Sequence, residues 1–206
     1  MCGRYDLSEN PAAIRAKFRV PSDPAREFAF PPNPDVRPTD RPPIVRLGAD
    51  GECEIALARW GLVPMWAKDL KFGARCVNAR GETLATSLAY RAAFGSRRCL
   101  VPVSAFYEWT GPKGKKTRWR IALRDEPLFA LAGLWEWWRD PARPAAVGVE
   151  TFTIVTCAAN AALAPLHDRM PVIVAPEAHA QWLDATQDGG AIVVSREIDG
   201  LTMAAT

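Results

Sequence analysis

The feature that most restricts this chain is a succession of short stretches with β character. They read PPIVRLG, CEIALARWGLVP, RCLVPVSAFYEW, TRWRIALR, LFALAGLWEWW, ETFTIVTCAA, MPVIVA and GAIVVS, most of them bounded by Gly, Pro or charged residues. Helical patterns are fewer. PAAIRAKFRV has apolar residues at helical spacing, with Asn10 as N-cap and Pro11 at the first helical position. TLATSLAYRAAF and PEAHAQWLDAT are the other candidates. Many strands with a few interspersed helices predict an α+β fold with a curved, barrel-like, mainly antiparallel sheet and a few flanking helices, not a doubly wound one. From Pro21 to Pro43 the chain is crowded with proline and lacks periodicity, which predicts an extended connection over the surface.

With 206 residues and 49% hydrophobic content, the chain can bury one substantial core, so a single domain over 1–206 is expected. No run of about 18 apolar residues occurs, and no membrane role follows. The start, MCGRYDLSEN, carries charge at Arg4 and Asp6 and lacks the apolar core of a secretory signal, so a cytoplasmic monomer is expected. The cysteines at 2, 53, 76, 99 and 157 form no CxxC pair and are odd in number, which fits reduced thiols better than disulfides or a zinc site. Cys53, Cys76, Cys99 and Cys157 lie in or beside apolar runs and read as small buried hydrophobes.

A net charge of +3 does not announce a polyanion binder, but its distribution is uneven. Arg97, Arg98, Lys113, Lys115, Lys116, Arg118, Arg120 and Arg124 face one acid, Glu108, over that span. GPKGKKTR within it reads either as a solvated hairpin turn or as a contact for a polyanion.

Cys2 differs from the other thiols by position. A small second residue favours removal of Met1, which leaves an α-amine and a thiol on adjacent carbons. Such a pair can form an imine through nitrogen and close a thiazolidine through sulfur. Unperturbed values of about 7.7 to 8.0 for the amine and about 8.5 for the thiol make both nucleophiles accessible near neutral pH. The residue is equally an ordinary small side chain after the start.

Its company narrows the choice. His167, in LAPLHDRMP, lies in an irregular proline-bounded segment after a predicted strand, a common setting for a proton-transfer group. His179, in PEAHAQW, reads as helix surface. Glu108 is the one acid in the apolar stretch LVPVSAFYEW, and a buried carboxylate is costly unless paired or used. Asn78 begins a polar set with Arg80 and Glu82 that also suits a turn. Among eight tryptophans, Trp60, Trp66 and Trp109 lie close to these candidates and are placed to stack on bases, although core packing is the usual use of tryptophan.

Taken together, MCGRY, WGLVPMW, VNARGET, CLVPVSAFYEW and TIVTCAANAALAPLHDRMPVIV resemble, in order, the motifs of the SRAP (SOS response-associated peptidase) domain family. The likeness spans most of the chain. It implies the SRAP fold and a protein that bonds covalently to abasic sites in single-stranded DNA and at junctions, shielding them from cleavage. On this sequence Cys2 would form the crosslink, Asn78 and Glu108 would position its amine and move protons, and His167 would assist ring opening and reversal. Arg4, Arg80 and Arg169 would bind flanking phosphates, Trp66 and Trp109 would join the DNA contacts, and Thr156 would line the site. Weak lyase and autoproteolytic activity are further implications, with no cofactor or metal and with recruitment to the nucleoid during DNA damage.

Two departures stand out. Asp35 occupies a place in the proline-rich loop where asparagine is usual, and an acid there would weaken DNA contact. The tail after VSREIDG is short, which puts a contribution from it in doubt. Two other readings remain: a cysteine peptidase or hydrolase with Cys2 as nucleophile, helped by His167 and Glu108, and a non-covalent single-strand binder using arginines and tryptophans.

Overall fold

A computed structural model describes residues 2–22 and 30–206, so the 23–29 part of the proline-rich connection lies outside the described residues. The chain runs through β1 (Tyr5–Leu7), α1 (Pro11–Phe18), β2 (Asn33–Val36), β3 (Pro43–Leu47), β4 (Cys53–Leu57), β5 (Arg59–Trp60), β6 (Asn78–Arg80) and α2 (Arg91–Phe94). It continues through β7 (Arg98–Val103), β8 (Ala105–Thr110), β9 (Thr117–Leu123), β10 (Phe129–Trp138), β11 (Val149–Ala158), β12 (Arg169–Pro171), β13 (Ile173–Val174), α3 (His179–Leu183) and β14 (Leu201–Ala205). The fold is α+β, with two curved, mainly antiparallel sheets that do not close into one barrel.

A five-stranded sheet has the order β14-β9-β8-β1-β2. A nine-stranded sheet has the order β12-β11-β10-β7-β3-β4, with β13 on β10 and with β5 and β6 running parallel to β11. Both sheets contribute to one hydrophobic cluster, Tyr5, Phe106 and Ile121 from the first and Leu100, Phe152 and Ile154 from the second. Every residue of RCLVPV in β7 is buried, as its unbroken apolar run requires of a central strand.

The stretch RCLVPVSAFYEW is not one strand. It breaks at Ser104, and β7 and β8 enter different sheets. The Ser104 N–H donates to Asp6 O at 2.7 Å and its Oγ accepts from Ser8 N at 3.2 Å, which fixes the corner.

α1 forms as its signals predict, with Asn10 Oδ1 accepting from Ala13 N at 3.0 Å. TLATSLAYRAAF does not form one helix. A 3₁₀ turn covers Gly81–Thr83 and helix begins only at Arg91. Thr83 and Thr86 hydroxyls donate to carbonyls three residues back, and Ser87 Oγ accepts from Ala89 N, so local side-chain bonds compete with the helix ladder. GAIVVS is not a strand either. Ile192 N, Val193 N and Val194 N bond to Gly189 O, Gly190 O and Ile192 O in successive turns, while Ile192 packs into the core.

His179 is not helix surface. It is half-buried, stacked on Phe18 with ring centroids 5.4 Å apart, and its Nε2 lies 3.2 Å from Val174 O. Cys76, Cys99 and Cys157 are buried, whereas Cys53 is only partly so, because β4 is the last strand of its sheet. Residues after Gly200 form β14, so the short tail extends the five-stranded sheet.

Candidate functional site

β1 pairs antiparallel with β8, Tyr5 opposite Phe106 and Asp6 opposite Ala105, and Tyr107 N donates to Arg4 O at 3.0 Å. That register, continued toward the N-terminus, draws the first residues alongside Glu108. Cys2 is fully buried in the core cluster, with its Sγ 3.6 Å from Arg4 O. Glu108 is 4% exposed. Period-two alternation along β8 puts Phe106 and Glu108 on one face and Tyr107 and Trp109 on the other, where Tyr107 is also buried and Trp109 is partly exposed.

Asn78 approaches from the other sheet, where β6 lies parallel to β11 with Asn78 beside Ile154. Its Nδ2 donates to Cys2 O at 2.8 Å, and its own carbonyl accepts from Tyr90 Oη at 3.3 Å. The Asn78 Oδ1 is buried and takes no hydrogen bond from the described residues. It is an acceptor held open beside the start of the chain.

The electrostatics are those of a closed pocket. Burial pushes the Cys2 thiol far above its ordinary value, and the negative charge of Glu108 pushes the same way. Burial also raises the Glu108 carboxyl, against the pull of nearby positive charge that includes the His167 imidazole. Glu108 thus acts on Cys2 by charge and is itself acted on by His167.

His167 stands in the turn between β11 and β12. Its Nδ1 accepts the Arg169 N–H at 2.9 Å and also lies 2.6 Å from Asp168 Oδ1. The first contact needs a lone pair on Nδ1 and the second a proton there, so they belong to different tautomers of the ring. Asp168 is 85% exposed, which keeps the ion pair weak.

Arg169 and Thr156 behave as one unit. The Arg169 guanidinium forks onto Glu82 at 2.5 and 2.9 Å, and its Nη2 also donates to Thr156 O at 2.7 Å. Thr156 is fully buried and donates from Oγ1 to Ala79 O at 3.2 Å, so it joins β6 to β11 instead of facing a ligand. Arg169 lowers the Glu82 carboxyl, chiefly through the side-chain hydrogen bond.

Arg4 lies on the outer face, its Nη1 donating to both carboxylate oxygens of Asp35 at 3.0 and 3.2 Å, with its guanidinium 6.0 Å from the Trp109 ring centroid. Asp35 also binds Arg37, and the Arg37 hydrogen bond, then Arg4, hold its carboxyl below the usual range. Arg80 is exposed at the end of β6. Trp66 is 54% exposed, edge-on to Phe72, and donates from Nε1 to Leu88 O at 3.3 Å. Trp60, by contrast, is fully buried and donates to Val77 O, so it serves the core.

The structure thus brings Cys2, Asn78 and Glu108 together in the interior, with His167 half-buried in the β11–β12 turn and linked to Glu108 by charge, while Trp66 packs on Phe72 and Leu88. Glu82, Asp168 and Tyr90 orient the candidates without having been given such a role from sequence. The carboxylates beside VNAR and beside His167 were the available signals. Among the described residues, no group of three or more His, Cys, Asp or Glu could hold a metal ion, and no helix is long and apolar enough to cross a membrane.

Comparison with known proteins adds four findings. The family model described as SOS response associated peptidase (SRAP) matches residues 1–202. The chain is 37% identical over 187 residues to the abasic site processing protein YoqW of Bacillus subtilis, covering 89% of this chain and 80% of that one. It is 30% identical over 155 residues to the abasic site processing protein HMCES of Xenopus tropicalis, covering 63% and 45%. In fold it is similar to a solved protein of Bacteroides thetaiotaomicron, with TM-score 0.87, 23% identity, and 99% and 91% of the two chains covered.

Proposed function

The chain belongs to the SOS response associated peptidase (SRAP) family, and from that premise we propose that it captures abasic sites in single-stranded DNA as a thiazolidine formed on Cys2 after Met1 is removed. The steps balance without a cofactor. The deoxyribose opens to its aldehyde, and the Cys2 nitrogen adds to the aldehyde carbon while a proton passes to the oxygen. That hydroxyl leaves as water, giving the iminium. Sγ then adds to the same carbon, its proton is taken up by the site, and the five-membered ring closes. The net change is aldehyde plus aminothiol to thiazolidine plus water.

Each interior group has a step. Asn78 fixes the Cys2 carbonyl and offers Oδ1 to the freed amine. Glu108, raised by burial, exchanges a proton at higher pH than an exposed glutamate and takes it from nitrogen or sulfur. His167 supplies the proton for ring opening and for reversal. The observation that carries the reading is Asn78: one end bonded to Cys2 O, the other a buried acceptor beside it.

An iminium at the sugar acidifies the neighbouring carbon and opens a route to β-elimination. Ring closure through sulfur removes that route, so lyase activity is secondary. The peptidase reading needs the thiol alone, so it gives no role to a free amine or to the open Asn78 Oδ1 beside it.

A denaturing gel with an abasic single-stranded oligonucleotide tests the proposal. Wild type should form an adduct, the intact oligonucleotide none. Cys2→Ala should lose the stable adduct yet cleave the strand faster, since the terminal amine of that variant still forms an imine that cannot close. A chain with an uncleaved N-terminal tag should be inert. An adduct from the tagged chain would exclude the thiazolidine, and none from wild type would overturn the reading.

A further inference from the structure

The basic run GPKGKKTR takes no part in that chemistry, yet its placement is specific. It forms the turn of the β8–β9 hairpin, in which Glu108 pairs with Trp119, Trp109 with Arg118 and Thr110 with Thr117. The turn is tight. Gly111 has φ +94°, and a Cβ there would lie 2.8 Å from Lys115 O. At ~3.3 Å per strand residue, the turn begins about 10 Å beyond Glu108, roughly three stacked nucleotides along one DNA strand.

The cations along this path differ from those nearer the site. Arg4, Arg37 and Arg120 are paired with Asp35 or Asp6, and Arg118 lies over the Tyr107 ring with its Nε on Thr206 Oγ1. Lys113, Lys115 and Lys116 are exposed, and among the described residues none of them forms an ion pair. From Ala105 to Arg124 the one acid is Glu108, which is buried. The hairpin tip is thus positive charge with no ion-pair partner among the described residues, on a two-stranded ribbon that runs past the proposed catalytic carboxylate.

We propose that the β8–β9 hairpin is a phosphate clamp for the DNA strand on one side of the lesion, with Lys113, Lys115 and Lys116 gripping phosphates about three nucleotides from the sugar bonded to Cys2. The proposal rests on the abasic-site reading. A single hairpin leaves the site in one direction, so its grip is confined to one flank. Lysine point charges on backbone phosphates carry no sequence preference.

The test uses oligonucleotides bearing a tetrahydrofuran abasic analogue, which binds but cannot react. One has a single nucleotide on each side, and two others add four nucleotides on the 5′ or the 3′ side only. Dissociation constants are read by fluorescence anisotropy across a salt series. Lys113→Gln/Lys115→Gln/Lys116→Gln should lose the affinity gained by one extension and keep that from the other. Each lost contact should cost about fivefold at ~0.1 M salt and lower the salt slope by ~0.7. The corresponding triple Lys→Arg variant should keep both gains. Equal losses on both flanks, or no loss, would overturn the clamp. An aldehyde-bearing oligonucleotide run in parallel separates the two readings: no adduct with one-sided loss retained sinks the crosslinking chemistry and leaves the clamp standing.

Discussion

The two faces of β1 and β8 carry opposite electrostatic arrangements. Outward, charge is matched by charge, with Arg4 on Asp35 and Arg120 on Asp6, both at 3.0 Å. Inward, polar groups are held in the core against their own solvation. Glu108 is raised by burial, Asn78 Oδ1 has no hydrogen bond from the described residues, and the Tyr5 hydroxyl is buried likewise. The Arg4–Asp35 pair, partly exposed on both sides, is worth about 0–1 kcal/mol, while a buried unsatisfied polar group costs about 1–3 kcal/mol. The outer face is a neutralised surface, and the inner face holds free energy in groups available for proton transfer and hydrogen bonding.

Replacing Glu108 by Gln should produce the largest break in that contrast. Without the carboxylate, adduct formation should slow by about 10² to 10⁴, measured as single-turnover rates on denaturing gels. Stability should move the other way. A carboxyl whose folded pKa lies above its unfolded value binds more protons folded than unfolded, so stability falls as pH rises from the unfolded value of about 4.3 through the raised folded one. Glu108→Gln should therefore raise Tm at neutral pH, with the gain vanishing below about pH 4. A variant that slows the reaction without any pH-dependent gain in Tm would contradict a tuned carboxyl.

Asn78→Ala is next. It removes the bond to Cys2 O and the open acceptor, at about 1–3 kcal/mol, so the crosslinking rate should fall between about 5-fold and 150-fold. Asn78→Asp, which keeps the acceptor and loses the donor, should fall between Ala and wild type. If the two variants are equal, Oδ1 is not the working end.

Glu108 and Cys2 were legible in the sequence for chemical reasons: one acid in an apolar run, and one thiol where a free amine can arise. Asn10 marked α1 because capping is local. Pairings between distant residues were not legible. Arg4 meets Asp35 across 31 positions and Arg169 meets Glu82 across 87, and each follows from strand register that no local pattern encodes. The same limit hid the break of RCLVPVSAFYEW at Ser104, since an apolar run does not say which sheet it enters. In TLATSLAYRAAF the apolar spacing was helical, but threonine and serine hydroxyls took the backbone bonds. Thr156 and Arg169 were found as residues, but not as a buried brace and a carboxylate-bound fork.

On the outer face, Asp35→Asn should free Arg4 and Arg37 for phosphate. Affinity for single-stranded DNA should rise about fivefold at ~0.1 M salt and the salt slope steepen by ~0.7. Asp35 is held below its unfolded pKa by Arg37 and Arg4, so its own contribution to stability is present above the unfolded value of about 3.9 and lost as pH falls through the folded one. The variant should be slightly less stable than wild type at neutral pH and equal to it in acid. Unchanged affinity would mean that Arg4 stays turned away from DNA even when released.

The smallest effect separates inner groups that serve the chemistry from those merely buried beside it. The Tyr5 ring packs tilted against Trp60, with centroids 5.2 Å apart, and burial holds its hydroxyl far above the usual range. That hydroxyl takes no hydrogen bond from the described residues, and no step of the proposed reaction uses it. Tyr5→Phe keeps the ring and deletes only the oxygen, so it should leave the crosslinking rate unchanged. It should stabilise by up to ~1 kcal/mol, a rise in Tm of about 2–4 °C by calorimetry for a chain of this size. A loss of stability would mean that the oxygen is satisfied by bound water and belongs with the matched groups. A fall in rate with Tm unchanged would move Tyr5 into the site, beside the thiol whose charge it senses.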